Sequence, residues 1–518
     1  MLRTMLPVRR LFALLLAVAS FDAWADIYTV TRHDDPVPGA CNVGDCSLRE
    51  AVLAANAHCC AENTIILGTG SYGLPLGGLA FNGMLKIVGD SAATTTIEGD
   101  GTETVLAAAA GASIRLLDLA IKAHGAYALQ SSVDGDTLLS RVLIPDPDSS
   151  IGVPGTNNGS GVFQVLDSEI HSYLDCGHID FCRISGSNVV RLQVGSNDSA
   201  VTDVLITNSS FDQDLEPTAP TVVALQTLGN VDISHTTIHG TQGGLVITGA
   251  PPHIAIDHLD FSGNERPVHV AAASDVTISD SWFHDNDNPH ALGNGGAALW
   301  LSNSGATATV TGSTFANNRG SDAYGGAVQV ENGAALTLRN STFSGNTFLD
   351  SAPGNPRGGA IGFHDDANIT SLTLDHVTIV APAIVAAEIV GTALGGYGGN
   401  TGLALVVLNS IVRGNCGLDA GAMDAALGNV ESGGNTCNFG SGSLVSVSST
   451  DLALGALADH GGPTLTYKPG ANSVAIDAAD EAFCPDTDQR GYPRPFGGAC
   501  DSGAVEADAD VLFKDGFE

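Results

Sequence analysis

VTISDSWF, running from Val276 to Phe283, is the stretch whose reading decides the fold. Val276 and Ile278 alternate with polar residues, which is the period of a β-strand. Four mostly polar residues follow, and Phe283 restores an apolar position. The same eight-residue pattern appears upstream as IRLLDLAI (Ile114 to Ile121), FQVLDSEI (Phe163 to Ile170), VLITNSSF (Val204 to Phe211), VDISHTTI (Val231 to Ile238) and IAIDHLDF (Ile254 to Phe261). Downstream it returns as ATVTGSTF ending at Phe315, LTLRNSTF at Phe343, LTLDHVTI at Ile379 and LVVLNSIV at Val412, with TLLSRVLI, ending at Ile144, a weaker copy. Most copies lie 22 to 36 residues apart; the gap of 41 between Ile170 and Phe211 is expected to hide a degenerate copy near Val189 to Val194.

Each copy is a short strand, a turn rich in Asn, Asp or Ser, and the start of a second strand. A unit this short cannot bury its own apolar face, so it must stack on neighbours as one coil of a solenoid. Stacked strands about 4.8 Å apart, over a dozen or more coils, make a rod on the order of 60 to 70 Å long. No amphipathic helix separates the copies, which excludes a doubly wound α/β sheet. One pattern returning in one orientation, without paired hairpin turns, excludes an antiparallel sandwich. The expected fold is all-β: a right-handed parallel β-helix of the pectin-lyase-like kind, with a short N-terminal helical cap.

A second signal overlays the repeat. Phe261, Phe283, Phe315 and Phe343 are each followed three residues later by Asn264, Asn286, Asn318 and Asn346, and Val412 by Asn415. Asn at one turn of successive coils is expected to stack as a structural side-chain ladder. Gly-Gly-Ala at 295–297, 325–327 and 358–360 marks tight corners.

The 518 residues carry a formal charge of −36, with Lys only at 86, 122, 468 and 514. Such an acidic chain is a poor partner for nucleic acid or an anionic membrane. Arg3, Arg9 and Arg10, the apolar run Leu11 to Ala19 and the A-x-A site Ala23-Trp24-Ala25 read as a secretory signal covering 1–25, the mature chain starting at Asp26. That apolar run is short for a membrane span, and the mature chain shows no other candidate. Ten cysteines fit export and disulfides. Local pairing is expected within Cys176 and Cys182, within Cys416 and Cys437, and within Cys484 and Cys500. Cys41, Cys46, Cys59 and Cys60 allow three connectivities.

Three stretches resemble known families. Cys46-Ser47-Leu48-Arg49-Glu50-Ala51 resembles the CSLREA domain at the head of exported β-helix proteins. Physically, Ser47 can cap a short helix with Glu50 closing a capping box, and that helix would plug the first coil. Leu85 to Gly99 then resembles the first coils of such proteins. The F-x-x-N and G-G-A elements, over about residues 261 to 415, resemble repeats of polymorphic outer-membrane proteins, which are autotransported adhesins; no C-terminal membrane barrel is expected after them. Asp459-His460-Gly461-Gly462-Pro463, Ala475 to Ala478, Asp488 to Gly491 and Cys500 to Glu506 resemble the choice-of-anchor Q domain. These resemblances imply a cap and first coil over 26–84, repeats over 85–450, a closing region over 451–508 and a sorting-like tail over 509–518. They carry over no catalytic residue.

A lyase would need a base beside calcium-holding carboxylates, and a hydrolase would need paired carboxylates on neighbouring coils. Lys is nearly absent from the repeats, and Arg339 and Arg413 read as isolated. Asp285, Asp287, Asp365 and Asp366, with His284, His364 and His290 nearby, form the densest acidic loops and the candidate calcium ligands. His171, His178, His235, His239, His253 and His258 read as separate polar turn residues, with a disulfide loop favoured over a metal site around Cys176 and Cys182. No catalytic residue and no cofactor other than calcium is expected. The expected function is a secreted or cell-surface, monomeric, non-catalytic rod that binds a glycan, matrix or cell-surface partner. The alternative is a polysaccharide lyase or glycoside hydrolase acting through the acidic loops.

Overall fold

The computed structural model describes residues 25–507 except 59–60, 154–158, 196–201, 213–222, 290–294, 322–324, 350–357, 366–369, 383–388, 391, 399–402 and 419–422. The segment expected to be a secretory signal, apart from Ala25, and the expected terminal tail lie outside the described residues, as do Cys59, Cys60, His290 and Asp366.

The chain winds as a right-handed parallel β-helix with three faces. In one coil, Asp275–Ser279 lies on the first face, Trp282–His284 on the second and Leu299–Leu301 on the third. Fifteen successive parallel pairings run down the first face, from Ile27–Thr29 to Met423–Leu427. At about 4.8 Å each they make a rod of about 70 Å. Thirty-eight described strands join one continuous sheet.

Alternation along each strand sends one set of side chains inward, and these form one cluster from Val30 to Phe439. Like sits over like. Phe283, Phe315 and Phe343 are fully buried, with ring centroids 4.7 and 4.6 Å apart and planes within 5° of parallel. Burying each ring contributes about 1.5–3 kcal/mol. The degenerate copy is CRISGSNV, Cys182 to Val189: Phe181–Ser185 takes the first face and Val189 ends the unit. It lies earlier than the expected Val189 to Val194, with Cys182 in place of an aliphatic residue at the first apolar position.

The asparagines stack in the same manner. Asn264 Nδ2 donates to Asn286 Oδ1 at 3.0 Å, Asn286 Nδ2 to Asn318 Oδ1 at 2.8 Å, and Asn318 Nδ2 to Asn346 Oδ1 at 2.9 Å. Asn415 is corrected out of this row. It is exposed, and Pro382, at the matching position of the intervening coil, has neither a side-chain amide nor a backbone N–H to continue the chain. At the Gly-Gly-Ala corners a Cβ on Gly326 would lie 2.0 Å from the Gly359 carbonyl, so only glycine fits.

Both ends are closed. Ser47 caps the helix Leu48–Ala57, and its backbone N–H donates to Glu50 Oε2 at 2.9 Å, completing the capping box. Leu48, Ala51, Val52 and Ala55 of this helix join the apolar core. At the other end, the short helix Ser449–Leu452 leads into an antiparallel pair, Leu454–Ala458 with Thr466–Pro469, and the chain turns back along the rod. Two buried ion pairs, Arg490 with Asp488 and Arg494 with Glu506, hold that returning segment together. Cys41–Cys46, Cys176–Cys182, Cys416–Cys437 and Cys484–Cys500 are disulfide-bonded. No described helix is long and apolar enough to cross a membrane.

Candidate functional site

The fifth residue of each copy turns the chain from the first face to the second, and it does so in the left-handed region. Asp118, Arg141, Asp167, Asn208, His235, His258, Asp280, Asn340, His376 and Asn409 all have φ between 45° and 58° there, and Gly186, Gly312 and Gly428 between 61° and 64°. Asn, Asp, His and Gly tolerate that geometry best. Because coils stack in register, these residues form one row along an edge of the rod.

The returning C-terminal segment covers the last five of these thirteen positions, from Gly312 on. Thr464 donates to the Gly312 carbonyl, Asn340 donates to the Thr487 carbonyl, and Asn409 exchanges hydrogen bonds with Asp480. Beside the row it also lies on the second face, where Thr314 and Thr342 bond Leu465 and Gln489 and Thr378 accepts from Ala504. Under this cover His376 is wholly buried, and burial pulls its pKa down to about 4. From Asp118 to Asp280 no hydrogen bond of the segment reaches the row among the described residues. The cover stops at Asp280, which lines a cavity of about 290 Å³ together with Pro463, Thr487 and Arg490.

The three coils before that boundary hold a concentrated set of polar groups. On the row itself the His235 and His258 rings stack at 4.6 Å, within 6° of parallel. Asp257 accepts from Ser279 Oγ at 2.6 Å and lies 2.7 Å from His258 Nδ1. Burial opposes ionisation of Asp257, but these hydrogen bonds outweigh it and hold its pKa below the ordinary value. One coil on, Asp280 goes the other way: burial raises its pKa against the opposing pull of His258, and the neighbouring Asp257 charge adds to the rise.

On the adjoining second face, Trp282 stacks on His284 at 3.7 Å. His284 sits between two carboxylates, Nε2 3.1 Å from Asp260 and Nδ1 2.8 Å from Asp285. Burial works against its protonation, but the two carboxylates prevail and its pKa is raised.

Of the expected calcium ligands, Asp285 and Asp287 have described side chains, and each is engaged by another group. Asp287 is paired with the Arg319 guanidinium, and Asp285 with His284 and Asn317. Asp285 turns the chain after a second-face strand, whereas Asp365 ends the third-face strand Ile361–Asp365. Their backbones occupy different edges of the rod. Arg339 is not isolated either: it pairs across one coil with Asp375 at 2.9 Å. The Cys176–Cys182 disulfide leaves no thiolate for a metal between His171 and His178. His235 and His258, read as separate turn residues, are neighbours because their separation of 23 residues is one coil. The signal available was their shared fifth position in VDISHTTI and IAIDHLDF.

A family model described as a right-handed beta helix region matches residues 168–348 and 223–380. No curated protein is a significant match. Among solved structures, the chain is similar to a mannuronic acid-specific polysaccharide family 6 lyase from human gut microbiota, at 13% identity over 72% of this chain and 91% of that one, TM-score 0.33. It is similar to a pectate lyase at 13% identity, over 93% and 96% of the two chains, TM-score 0.23. A third is the catalytic unit of a thermostable α-1,3-glucanase from Streptomyces thermodiastaticus, at 12% identity over 78% and 68%, TM-score 0.30.

Proposed function

We propose that this chain is an exported, glycan-binding β-helix whose recognition surface is the polar step where the uncovered row meets the edge of the C-terminal segment. The observation that carries the reading is the Trp282–His284 stack flanked by Asp260 and Asp285 on the solvent side of the second face. An aromatic face offers apolar contact to the C–H side of a sugar ring, and carboxylates and imidazole offer hydrogen bonds to its hydroxyls. The charge of −36 favours a neutral glycan over a polyuronate. Four disulfides among the described residues suit an oxidising, extracellular setting.

A second reading rests on Asp257 and Asp280. Neighbouring carboxylates with pKa values pushed apart are the pattern of a base and an acid in glycoside hydrolysis. One experiment separates the two. The chain is incubated with a panel of neutral and acidic polysaccharides, with and without calcium, and both retention and release of reducing ends are measured. Binding to a neutral glycan, lost in Trp282→Ala and without turnover, supports the binding reading. Turnover abolished by Asp280→Asn or Asp257→Asn replaces it with the hydrolase. Retention of every glycan unchanged in Trp282→Ala refutes the assigned surface.

A further inference from the structure

We infer that His235, Asp257 and His258 form a site for one borderline divalent transition-metal ion of the zinc, nickel or copper kind. The site lies on the uncovered row beside Trp282 and His284 but uses neither, and it gives Asp257 a role other than acid–base catalysis.

Register creates the cluster. Ser234 pairs with Asp257 and Thr236 with Leu259, so residue 235 stands directly over residue 258. Both residues are left-handed, at φ 48° and 50°, which sets their Cα–Cβ directions alike, and their imidazoles stack within 6° of parallel. Asp257, next to His258 in sequence, brings a carboxylate to the same spot. One donor atom from each of the three lies within 4.8 Å of the others. Among the described residues no other group of three His, Cys, Asp or Glu side chains meets this condition.

The remaining distance is a matter of side-chain rotation. Zinc bonds of about 2.1 Å in a tetrahedron set donors about 3.4 Å apart. His235 and His258 are exposed and Asp257 half-buried, so their torsions are free to close that gap while the backbone stays put. Ser279 Oγ already holds one Asp257 oxygen at 2.6 Å, the outer hydrogen bond that orients a metal-binding carboxylate. Two nitrogens and one oxygen select a borderline ion over calcium, which takes six to eight oxygens. Three protein donors leave a position open for water or a ligand. The strongly negative chain raises the local cation concentration.

The test is calorimetric titration of the purified chain, carrying no polyhistidine tag, with zinc and with nickel chloride, alongside electron paramagnetic resonance of the copper(II) form. His235→Asn and His258→Asn are the variants of choice, because Asn fills the same left-handed position at 208, 340 and 409. One equivalent of metal is expected, weakened at least about tenfold in either variant and abolished in the double variant. Copper(II) is expected to show hyperfine coupling from two nitrogens. His124→Asn, which removes a lone left-handed histidine paired with Glu98, is expected to leave the affinity unchanged. Absence of saturable binding, binding retained in the double variant, or a copper spectrum without two nitrogens overturns the assignment.

Discussion

Asn318→Ala is the sharpest probe of how the coils hold together. Asn318 is fully buried, and its amide is engaged on every side. Nδ2 donates to the Phe283 carbonyl at 3.0 Å and to Asn346 Oδ1 at 2.9 Å; Oδ1 accepts from the Asn286 backbone N–H at 3.3 Å and from Asn286 Nδ2 at 2.8 Å. Three of the four losses are cushioned, since Asn286 Nδ2 keeps the Phe261 carbonyl, Asn346 Oδ1 keeps the Asn318 backbone N–H, and the Phe283 carbonyl keeps its ladder bond to the strand of Phe315. Only the Asn286 N–H is left without an acceptor, away from water. At about 1–3 kcal/mol for a buried polar group left unpaired, the substitution costs about 1–3 kcal/mol. Asn415→Ala, at an exposed position, is the matched control and is expected within about 0.5 kcal/mol of wild type. Solenoids open locally, so urea unfolding is to be read together with native-state amide exchange. Faster exchange is expected in the coils of Phe283 and Phe315 and not in those near Ile114. Equal stability of the two variants would refute the ladder as a source of cohesion.

Three further outcomes follow from the same contacts. Glu50→Ala removes the acceptor of the Ser47 and Gly39 backbone N–H groups and is expected to destabilise the N-terminal cap by about 1–2 kcal/mol, seen as earlier exchange in Leu48–Ala57. Gln489→Ala strips the bonds to Thr314, Thr342 and Thr464, and is expected to make the C-terminal segment cleavable by added protease while the rod stays resistant; an uncut segment would argue against these bonds as its fastening. Burial raises the pKa of Asp501 to about 6. The folded state therefore holds this proton more tightly than the unfolded state, and Asp501's contribution is full below about pH 4 and lost as pH rises through about 6. Asp501→Asn is expected to flatten the pH dependence of C-terminal stability in that window, and an unchanged slope would show that other groups set it.

The eight-residue pattern determined the architecture by itself. Alternating apolar residues that a short unit cannot bury alone must be sealed by the next unit, and that requirement is local, so VTISDSWF and its relatives state it in full. The Ser47–Glu50 capping box and three of the four described disulfides were legible for the same reason, since their partners lie close in the chain. What tertiary structure alone decided is which outward side chains become neighbours. Coils of 22 and 32 residues on either side of Phe283 both close onto the same register, because the extra length leaves as a loop and returns to the same strand. Sequence distance thus says little about which turn lies over which: His235 reaches His258, while Asp285 and Asp365 sit on different edges. The C-terminal segment is the second such decision. Its hydrogen bonds to Thr314, Thr342 and Thr378 span more than a hundred residues, and they divide a row of chemically similar turns into a covered part and an open part. Which part stayed open was set by where a distant segment found enough polar partners to dock.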